Sequence, residues 1–254
     1  MYQNQLVNAI PHHFKEYRRE QTLKWWGIDA DFDGRYYPFM ARSVLYLRQM
    51  ELGPMQNFVY LVGDREKKEA LLVDPAWDVK AALDQAAKDG FLVKGALITH
   101  THFDHVNGLE DLLRATDGIV YVHKEEAEFL RGMKKNIKRI EGGEKIQVGS
   151  VEVTFLHTPG HTRGSQCFLV NEKNLISGDT LFINACGRCD LPGGDAEEMY
   201  RSLNRLASLD ESTVLYPGHN YADDATSTVG DEKKFNPYLK ISNLNDFLKF
   251  RMGQ

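Results

Sequence analysis

The segment Gly95-Ala96-Leu97-Ile98-Thr99-His100-Thr101-His102-Phe103-Asp104-His105 decides how this sequence is interpreted. Its first half is an apolar run that predicts a buried strand. Its second half places three imidazoles and one carboxylate within six residues. Imidazole nitrogen and carboxylate oxygen are the ligands that suit zinc, iron and manganese. The segment therefore predicts a metal site at the end of a strand.

Three more segments end an apolar run with a candidate ligand. They are Thr158-Pro159-Gly160-His161, Ser177-Gly178-Asp179 and Tyr216-Pro217-Gly218-His219. A glycine stands immediately before each candidate, and glycine lets the backbone turn sharply and approach other groups closely. Strand ends gathered on one edge of a sheet sandwich would bring these side chains into one cleft. Seven candidates exceed the four ligands of a closed structural zinc site, which favours a catalytic centre.

Composition restricts the class of protein. The chain has 254 residues, of which 42% are hydrophobic and 26% charged, as is usual for a globular protein. A net charge of -5 gives no electrostatic footprint for nucleic acid or an anionic membrane. No apolar run approaches the length of a membrane span, and residues 1–19 contain no apolar signal region. Three cysteines do not indicate a disulfide framework, so we expect a cytoplasmic protein. The expected partner is a small-molecule substrate.

The chain divides into two predicted parts, an N-terminal helical and aromatic extension at residues 1–42 and a main domain at 43–254. The extension combines a charged stretch at 15–20 with Trp25-Trp26. This pattern predicts an amphipathic helix and an aromatic anchor, packed on the main domain or on the second subunit of a homodimer. His12 and His13 are interpreted as surface residues because no other ligand type lies at a useful spacing.

Hydrophobic periodicity in the main domain predicts strands and helices in alternating groups. The strands are predicted at 44–47, 57–62, 70–73, 96–99, 119–122, 151–155, 166–170, 174–177 and 213–216, with a hairpin turn at Gly63-Asp64. The helices are predicted at 78–88, 106–115, 124–131 and 196–206. This order indicates two packed sheets with helices outside them.

Together the motifs resemble those of the metallo-β-lactamase fold superfamily. His-x-His-x-Asp-His, Thr-Pro-Gly-His, Gly-Asp-Thr-Leu-Phe and Tyr-Pro-Gly-His follow one another here in the family's order, over roughly residues 43–240. The resemblance implies an α/β fold, an αββα four-layer sandwich of two mixed β-sheets flanked by helices. It also implies a matching Asp74 that supports the histidine loop from behind.

The same resemblance implies a ligand set for two divalent ions, zinc in the first place, with iron or manganese as alternatives. One ion would take His100, His102 and His161, the other would take Asp104, His105 and His219, and Asp179 would bridge them. Asp104 and Asp179 are also the predicted catalytic residues. Such a pair of ions can hold a bridging hydroxide and polarise a carbonyl at the same time.

Within the superfamily, residues 178–195 and 227–239 resemble glyoxalase II-type enzymes, which hydrolyse glutathione thioesters such as S-lactoylglutathione. That resemblance implies attack of the bridging hydroxide on the thioester carbonyl, with Asp104 assisting proton transfer. Arg188 and Tyr221 are the candidates for holding the carboxylates of the thiol substrate. Pairing of Arg188 with Asp190 is an equally good interpretation.

The main alternative is the persulfide dioxygenase branch of the same fold, which acts on glutathione persulfide. The chain shares with it Arg188 within Cys-Gly-Arg-x-Asp and a tyrosine two residues after the final histidine. Those enzymes use one iron, held by the equivalents of His100, His161 and Asp179. The chain departs from their pattern at Thr101, Phe103 and Tyr238, where Cys, Ala and Arg are usual.

A third hypothesis is a non-catalytic metal-binding protein, which the completeness of the ligand set disfavours. The remaining chemistry-bearing residues have structural interpretations. His157 and His123 are predicted to pack near strands rather than to bind metal. Cys186 and Cys189 form a single C-x-x-C without a thioredoxin-like context, and with Cys167 they are predicted to be reduced and wholly or partly buried.

Overall fold

The computed structural model describes residues 28–30, 36–38, 43–130, 132 and 136–253. The chain forms two compact units, Met1–Ser43 and Val44–Gln254. In the first unit the described residues form two short antiparallel strands, β1 (Ile28–Ala30) and β2 (Tyr36–Pro38). The predicted amphipathic helix, the aromatic anchor, His12 and His13 lie outside the described residues, and the division at residue 42 stays a prediction.

The first sheet of the second unit has six strands in chain order across the sheet. They are β3 (Leu45–Leu52), β4 (Asn57–Asp64), β5 (Glu69–Val73), β6 (Leu92–Leu97), β7 (Ile119–His123) and β8 (Ile137–Ile140). β3, β4 and β5 form an antiparallel meander, and β5 to β8 are parallel neighbours. The predicted hairpin turn is confirmed, since the Asp64 carboxylate accepts hydrogen bonds from the amides of Glu66 and Lys67.

The second sheet also has six strands, in the order β16-β15-β12-β11-β10-β9. They are β9 (Lys145–Val148), β10 (Val151–His157), β11 (Gln166–Val170), β12 (Asn174–Gly178), β15 (Val214–Pro217) and β16 (Ser227–Thr228). The pair β12 and β15 is parallel and the other pairs are antiparallel. A small hairpin of β13 (Leu181–Phe182) and β14 (Ala185–Cys186) stands apart.

Six described helices cover the sheets. They are α1 (Val79–Lys88), α2 (Phe103–Val106), α3 (Leu109–Ala115), α4 (Ala196–Ala207), α5 (Val229–Phe235) and α6 (Leu244–Met252). Buried side chains form one core between the first sheet and its helices, one between the sheets, and one between the second sheet and its helices. Three cores between four layers are those of an αββα sandwich, so the predicted fold is confirmed. Among the described residues no helix combines the length and the apolar character that a membrane crossing requires.

β4 shows why several strands of this fold are continuous apolar runs in the sequence. Every one of its residues is buried, because Leu61 faces the helix-side core while Tyr60 and Val62 face the core between the sheets. Alternate side chains of a strand point to opposite faces, so a strand covered on both faces needs apolar residues at successive positions.

Two predicted helices are wrong in part. Residues 124–130 of the helix predicted at 124–131 form tight turns, in which the amides of Phe129 and Leu130 bond to carbonyls three residues back. The helix predicted at 106–115 is split into α2 and α3. It breaks at Gly108, whose amide donates to the carbonyl of Pro75 instead of continuing a helical ladder. At Gly108 a tertiary partner replaced the local helical bond, which periodicity cannot reveal.

The core between the sheets predicts the cost of losing an aromatic ring. Phe168 is 0% exposed and meets the ring of Phe155 edge-on, with ring centres 5.4 Å apart. Phe168→Ala should lower the free energy of unfolding by about 3–5 kcal/mol, because it leaves a cavity that the sheets cannot close. Phe168→Leu should cost clearly less. Urea unfolding of both variants in the same metal state measures this, and equal losses would contradict a tightly packed core.

Candidate metal centre

The seven predicted ligands meet at one edge of the sandwich, because each follows the end of a strand. His100, His102, Asp104 and His105 follow β6, while His161, Asp179 and His219 follow β10, β12 and β15 respectively. His100 and His161 have ring centres 4.8 Å apart although 61 positions separate them in the sequence. The predicted convergence is therefore observed, and the ligand roles themselves stay predictions.

The side chains form two groups that could each hold an ion. In His100, His102 and His161, and again in Asp104, His105 and His219, the potential ligand atoms lie within 4.8 Å of one another. The Asp179 carboxylate lies between the groups, with Oδ2 3.6 Å from His161 Nε2 and 3.4 Å from His219 Nε2. This is the position that a bridging carboxylate would take.

Two glycines permit this close approach. Gly178 has a φ of +49°, a left-handed conformation that residues with a Cβ rarely adopt. A Cβ on Gly218 would lie 2.3 Å from Asp179 Oδ1, so any side chain there would displace the carboxylate. The glycines before Asp179 and His219 are thus part of the geometry of the site.

Asp74 orients two of the imidazoles. It is buried, and its Oδ2 accepts from the Thr99 hydroxyl at 2.6 Å and from His105 Nδ1 at 3.0 Å. Since the Thr99 hydroxyl donates to Asp74, it accepts from His100 Nδ1, which lies 3.0 Å away. Both rings therefore carry their proton on Nδ1 and turn Nε2 toward the centre, the arrangement that metal-binding histidines require.

Backbone carbonyls orient two further rings in the same way. His161 Nδ1 donates to the carbonyl of Arg188 at 2.8 Å, and His219 Nδ1 donates to that of Met55 at 2.8 Å. Four of the five candidate histidines thus have the outer nitrogen bonded and the inner nitrogen directed at the centre. The fit to a bound cation follows from this shared orientation.

Three atoms of the candidate ligands are buried and have no hydrogen-bond partner in the part of the chain that the structure describes: His100 Nε2, His161 Nε2 and Asp179 Oδ1. Asp179 Oδ1 lies 3.3 Å from His105 Nε2, but the two atoms are not aligned for a hydrogen bond. Unpaired buried polar atoms are costly and rare in folded proteins. Two neutral nitrogens and one carboxylate oxygen are a donor set that a divalent cation satisfies.

The second group is already paired internally. His105 Nε2 lies 3.2 Å from His219 Nε2, and Asp104 Oδ2 lies 3.4 Å from His219 Nε2. Burial opposes a charge on His219, but hydrogen bonds to Asp104 and Asp179 raise its pKa to about 9. Burial conversely lowers the pKa of His100 and His161. The first group is neutral and ready to bind a cation, whereas the second must release a proton first.

Asn57 is a residue of the site that the sequence analysis treated only as the start of a strand. It is 1% exposed, and its Nδ2 donates to Asp104 Oδ2 at 2.9 Å. Its Oδ1 accepts from Trp77 Nε1 at 2.7 Å. Asn57 therefore fixes the Asp104 carboxylate, and a polar residue opening an apolar strand was the signal for it.

Glu126 is the second residue that was missed. Its buried carboxylate accepts from the amide and hydroxyl of Thr101 through Oε2. Through Oε1 it accepts from the Thr162 hydroxyl at 2.7 Å and from the Gly164 amide at 3.1 Å. Glu126 thus ties the loop of His100 and His102 to the loop of His161. The sequence analysis placed Glu126 in a predicted helix at 124–131 and therefore assigned it no role in the site.

The two predicted substrate-binding residues differ in their surroundings. Arg188 is exposed and makes two hydrogen bonds to the Asp190 carboxylate, at 3.0 and 2.6 Å, as in the pairing interpretation. Tyr221 stacks on His219 with ring centres 4.7 Å apart, which places it beside the centre. Burial, and then the charges of Asp179 and Asp104, raise the pKa of Tyr221 to about 12, so its hydroxyl is a neutral donor.

The other histidines and the cysteines are structural in their contacts. His123 and His157 stack with ring centres 4.1 Å apart, and neither belongs to the two groups. Cys167, Cys186 and Cys189 are free and buried. Burial raises the pKa of Cys186 to about 12 and that of Cys167 to about 11, so both are thiols at neutral pH.

Residues 52–219, which span the whole centre, match the metallo-beta-lactamase superfamily. The chain belongs to this superfamily. It is 33% identical to a probable polyketide biosynthesis zinc-dependent hydrolase, BaeB, of Bacillus velezensis over 77% of this chain and 87% of that protein. It is 33% identical to the human mitochondrial persulfide dioxygenase ETHE1 over 81% of this chain and 80% of that protein.

A solved structure of ETHE1 from Myxococcus xanthus superposes on this member of the metallo-beta-lactamase superfamily with a TM-score of 0.75 and 28% identity, covering 82% of this chain and 90% of that one. These similarities confirm the predicted branch of the superfamily, and its members named here are enzymes. Thioester hydrolysis, the identity and number of the metal ions and the cytoplasmic location stay predictions.

The Asp74 contacts predict a loss of metal affinity without loss of the ligands. Asp74→Asn should weaken metal binding about 10–100-fold, because the ring of His105 and the hydroxyl behind His100 lose their common acceptor. Titration against a coloured chelator measures it. Asp64→Asn is the matched control. Asp64 is as buried as Asp74, but it lies at the end of β4 that is remote from Asn57 and the candidate centre, where it accepts a hydrogen bond from Ser150. Equal affinities for both variants would contradict the assigned role of Asp74.

The Glu126 contacts predict a loss of stability. Glu126→Gln replaces one acceptor oxygen by an amide that faces donors, and it should lower the free energy of unfolding by about 1–3 kcal/mol. The exposed neighbour gives the control, Glu125→Gln, which should stay within about 0.5 kcal/mol of the wild type. Urea unfolding of metal-free protein tests both. Indistinguishable curves would show that Glu126 does not join the two loops energetically.

Proposed function

We propose that this chain is a persulfide dioxygenase that uses one ferrous ion held by His100, His161 and Asp179. The observation that carries the proposal is the set of three buried atoms without partners, one on each of these residues. A ferrous ion on two histidines and one carboxylate keeps open positions and supplies the site for activating dioxygen. The similarity to persulfide dioxygenases over about four fifths of the chain supports it.

The internal pairing of the second group also supports a single ion. His105 and His219 face each other at 3.2 Å, and Asp104 is held by Asn57. In the proposed enzyme these residues form a polar wall beside the ion rather than a second metal site. Asp179 offsets the charge of the ion, and Tyr221 on His219 offers a neutral hydroxyl to the substrate.

The proposed substrate is a small-molecule thiol persulfide such as glutathione persulfide. The overall reaction is RS–SH + O2 + H2O → RSH + SO3²⁻ + 2H⁺. Four electrons pass from the persulfide to dioxygen, the sulfur–sulfur bond breaks, and the outer sulfur leaves as sulfite. No reductant beyond the persulfide is needed.

A two-metal hydrolase is the second candidate, because both groups of potential ligands are complete. In that arrangement His102 completes the first site with His100 and His161, and the ions would be zinc. The likeness to a probable zinc-dependent hydrolase supports this candidate. Hydrolysis of a glutathione thioester, the function first predicted from the sequence, belongs here.

One preparation separates the two candidates. The protein is purified without added metal, iron and zinc per chain are measured, and the same sample is assayed with glutathione persulfide and with S-lactoylglutathione. We expect one iron per chain, oxygen consumption and sulfite formation with the persulfide. Two metal ions per chain with hydrolysis of the thioester and no oxygen consumption would overturn the proposal in favour of the hydrolase.

Two ligand variants give a second test. Asp179→Ala should lower oxygen consumption more than about 100-fold, since losing a residue behind a ligand already costs about 10–100-fold in activity or metal affinity. His219→Ala should retain the iron and stay within about tenfold of the wild-type rate, because His219 belongs only to the second group. Loss of iron and activity in His219→Ala as large as in Asp179→Ala would contradict a one-ion centre.

A further inference from the structure

A cavity of about 720 Å³ opens beside the candidate metal centre, and His102 forms part of its wall. Thr101 and Thr162, the two residues that Glu126 holds, also line it. The volume is that of a pocket for a small ligand. The cavity therefore reaches from His102 to the surface.

The outer wall of the cavity carries two arginines without a counterion. Arg139 and Arg163 line it, and within the described part of the chain neither takes part in an ion pair. The third cation of the wall, Lys124, is bonded to Glu141 at 2.8 Å. Exposed guanidinium groups that converge on one pocket are suited to bind carboxylates, often through two hydrogen bonds.

Both arginines are attached to ordered backbone. Arg139 lies in β8, opposite Val122 of β7. The carbonyl of Arg163 accepts a hydrogen bond from His157 Nε2 at 2.9 Å. The positions from which the guanidinium groups reach into the cavity are therefore fixed by the fold.

Two further residues define the chemistry of the ligand. Phe129 lines the cavity with its side chain 76% exposed, which gives an apolar surface for a peptide or carbon chain. Glu125 also lines the cavity and is exposed, so it offers a carboxylate to an ammonium group. Glu126 and Glu128 also line the cavity, but Glu126 is bonded to the two ligand loops and Glu128 takes part in another interaction. The two guanidinium groups and the Glu125 carboxylate complement a ligand with two carboxylates and one ammonium. A phosphate-rich ligand would meet repulsion from Glu125.

We propose that this cavity binds the tail of a peptide thiol, with Arg139 and Arg163 holding its carboxylates and Glu125 its ammonium group. Arg188, the candidate from the sequence, already has Asp190 as its partner. The assignment rests on the proposed function only for the identity of the reacting sulfur. Glutathione itself, which lacks the outer sulfur of the persulfide, should bind through the same tail. Glutathione has the required charges, whereas coenzyme A carries phosphates and cysteamine carries no acid.

The test measures binding of glutathione to metal-loaded protein by calorimetry in the absence of oxygen. Arg139→Gln and Arg163→Gln should each raise the Kd about tenfold, as expected when one charge-assisted hydrogen bond is lost. The double variant should raise it about 100-fold if the two contacts are independent. Lys138→Gln is the matched control, because Lys138 lies on the same strand but over the ring of Tyr121, and its Kd should change less than about twofold.

Other ligands and the activity assay decide between outcomes. Cysteamine should bind equally weakly to wild type and double variant. Unchanged glutathione binding in the double variant would overturn the proposal, as would tighter, arginine-dependent binding of coenzyme A. If the wild type binds glutathione through the arginines but consumes no oxygen, the cavity assignment stands and the proposed dioxygenase function falls. If the protein consumes oxygen with glutathione persulfide and the double variant has an unchanged KM, the proposed dioxygenase function stands and the cavity assignment falls.

Discussion

The burial of polar atoms that have no partner among the described residues is the constraint on which the rest of the site depends. His100 Nε2, His161 Nε2 and Asp179 Oδ1 are buried where the described chain offers them no hydrogen bond. Such atoms stay in place only if other interactions prevent the rings from turning toward water. Those interactions are the outer hydrogen bonds of the imidazoles, to Thr99, Asp74 and two backbone carbonyls.

The sandwich supplies the rigidity that these outer bonds need. Asp74 follows β5, while Asn57 opens β4, which is buried along its whole length. The partners of the ligands are therefore held by strands covered on both faces, and Glu126 adds a tie between two ligand loops. Sites on rigid elements keep their geometry better than sites on free loops. The loops carry the candidate ligands, and the sheets together with the buried Glu126 carboxylate hold the loops.

Much of the fold and of the centre was predictable from local patterns. Buried strands such as β11 were identified to the residue, because a short apolar run between turn residues is typical of a buried strand. The short edge strands β8 and β9 and the helices α5 and α6 were not predicted, since their residues alternate irregularly between exposed and buried. Turns around Glu126 replaced a predicted helix because contacts with distant residues outweighed local propensity.

The sequence by itself determined the types of the candidate ligands, their order and the superfamily, because three imidazoles and a carboxylate in six residues favour a metal site. Only the tertiary structure decided which buried atoms lack partners, that Asn57 and Glu126 support the candidate ligands, and that Arg139 and Arg163 line one cavity. Each of these depends on distances between residues far apart in the chain. The convergence of separate loops sets those distances, and a linear pattern does not encode it.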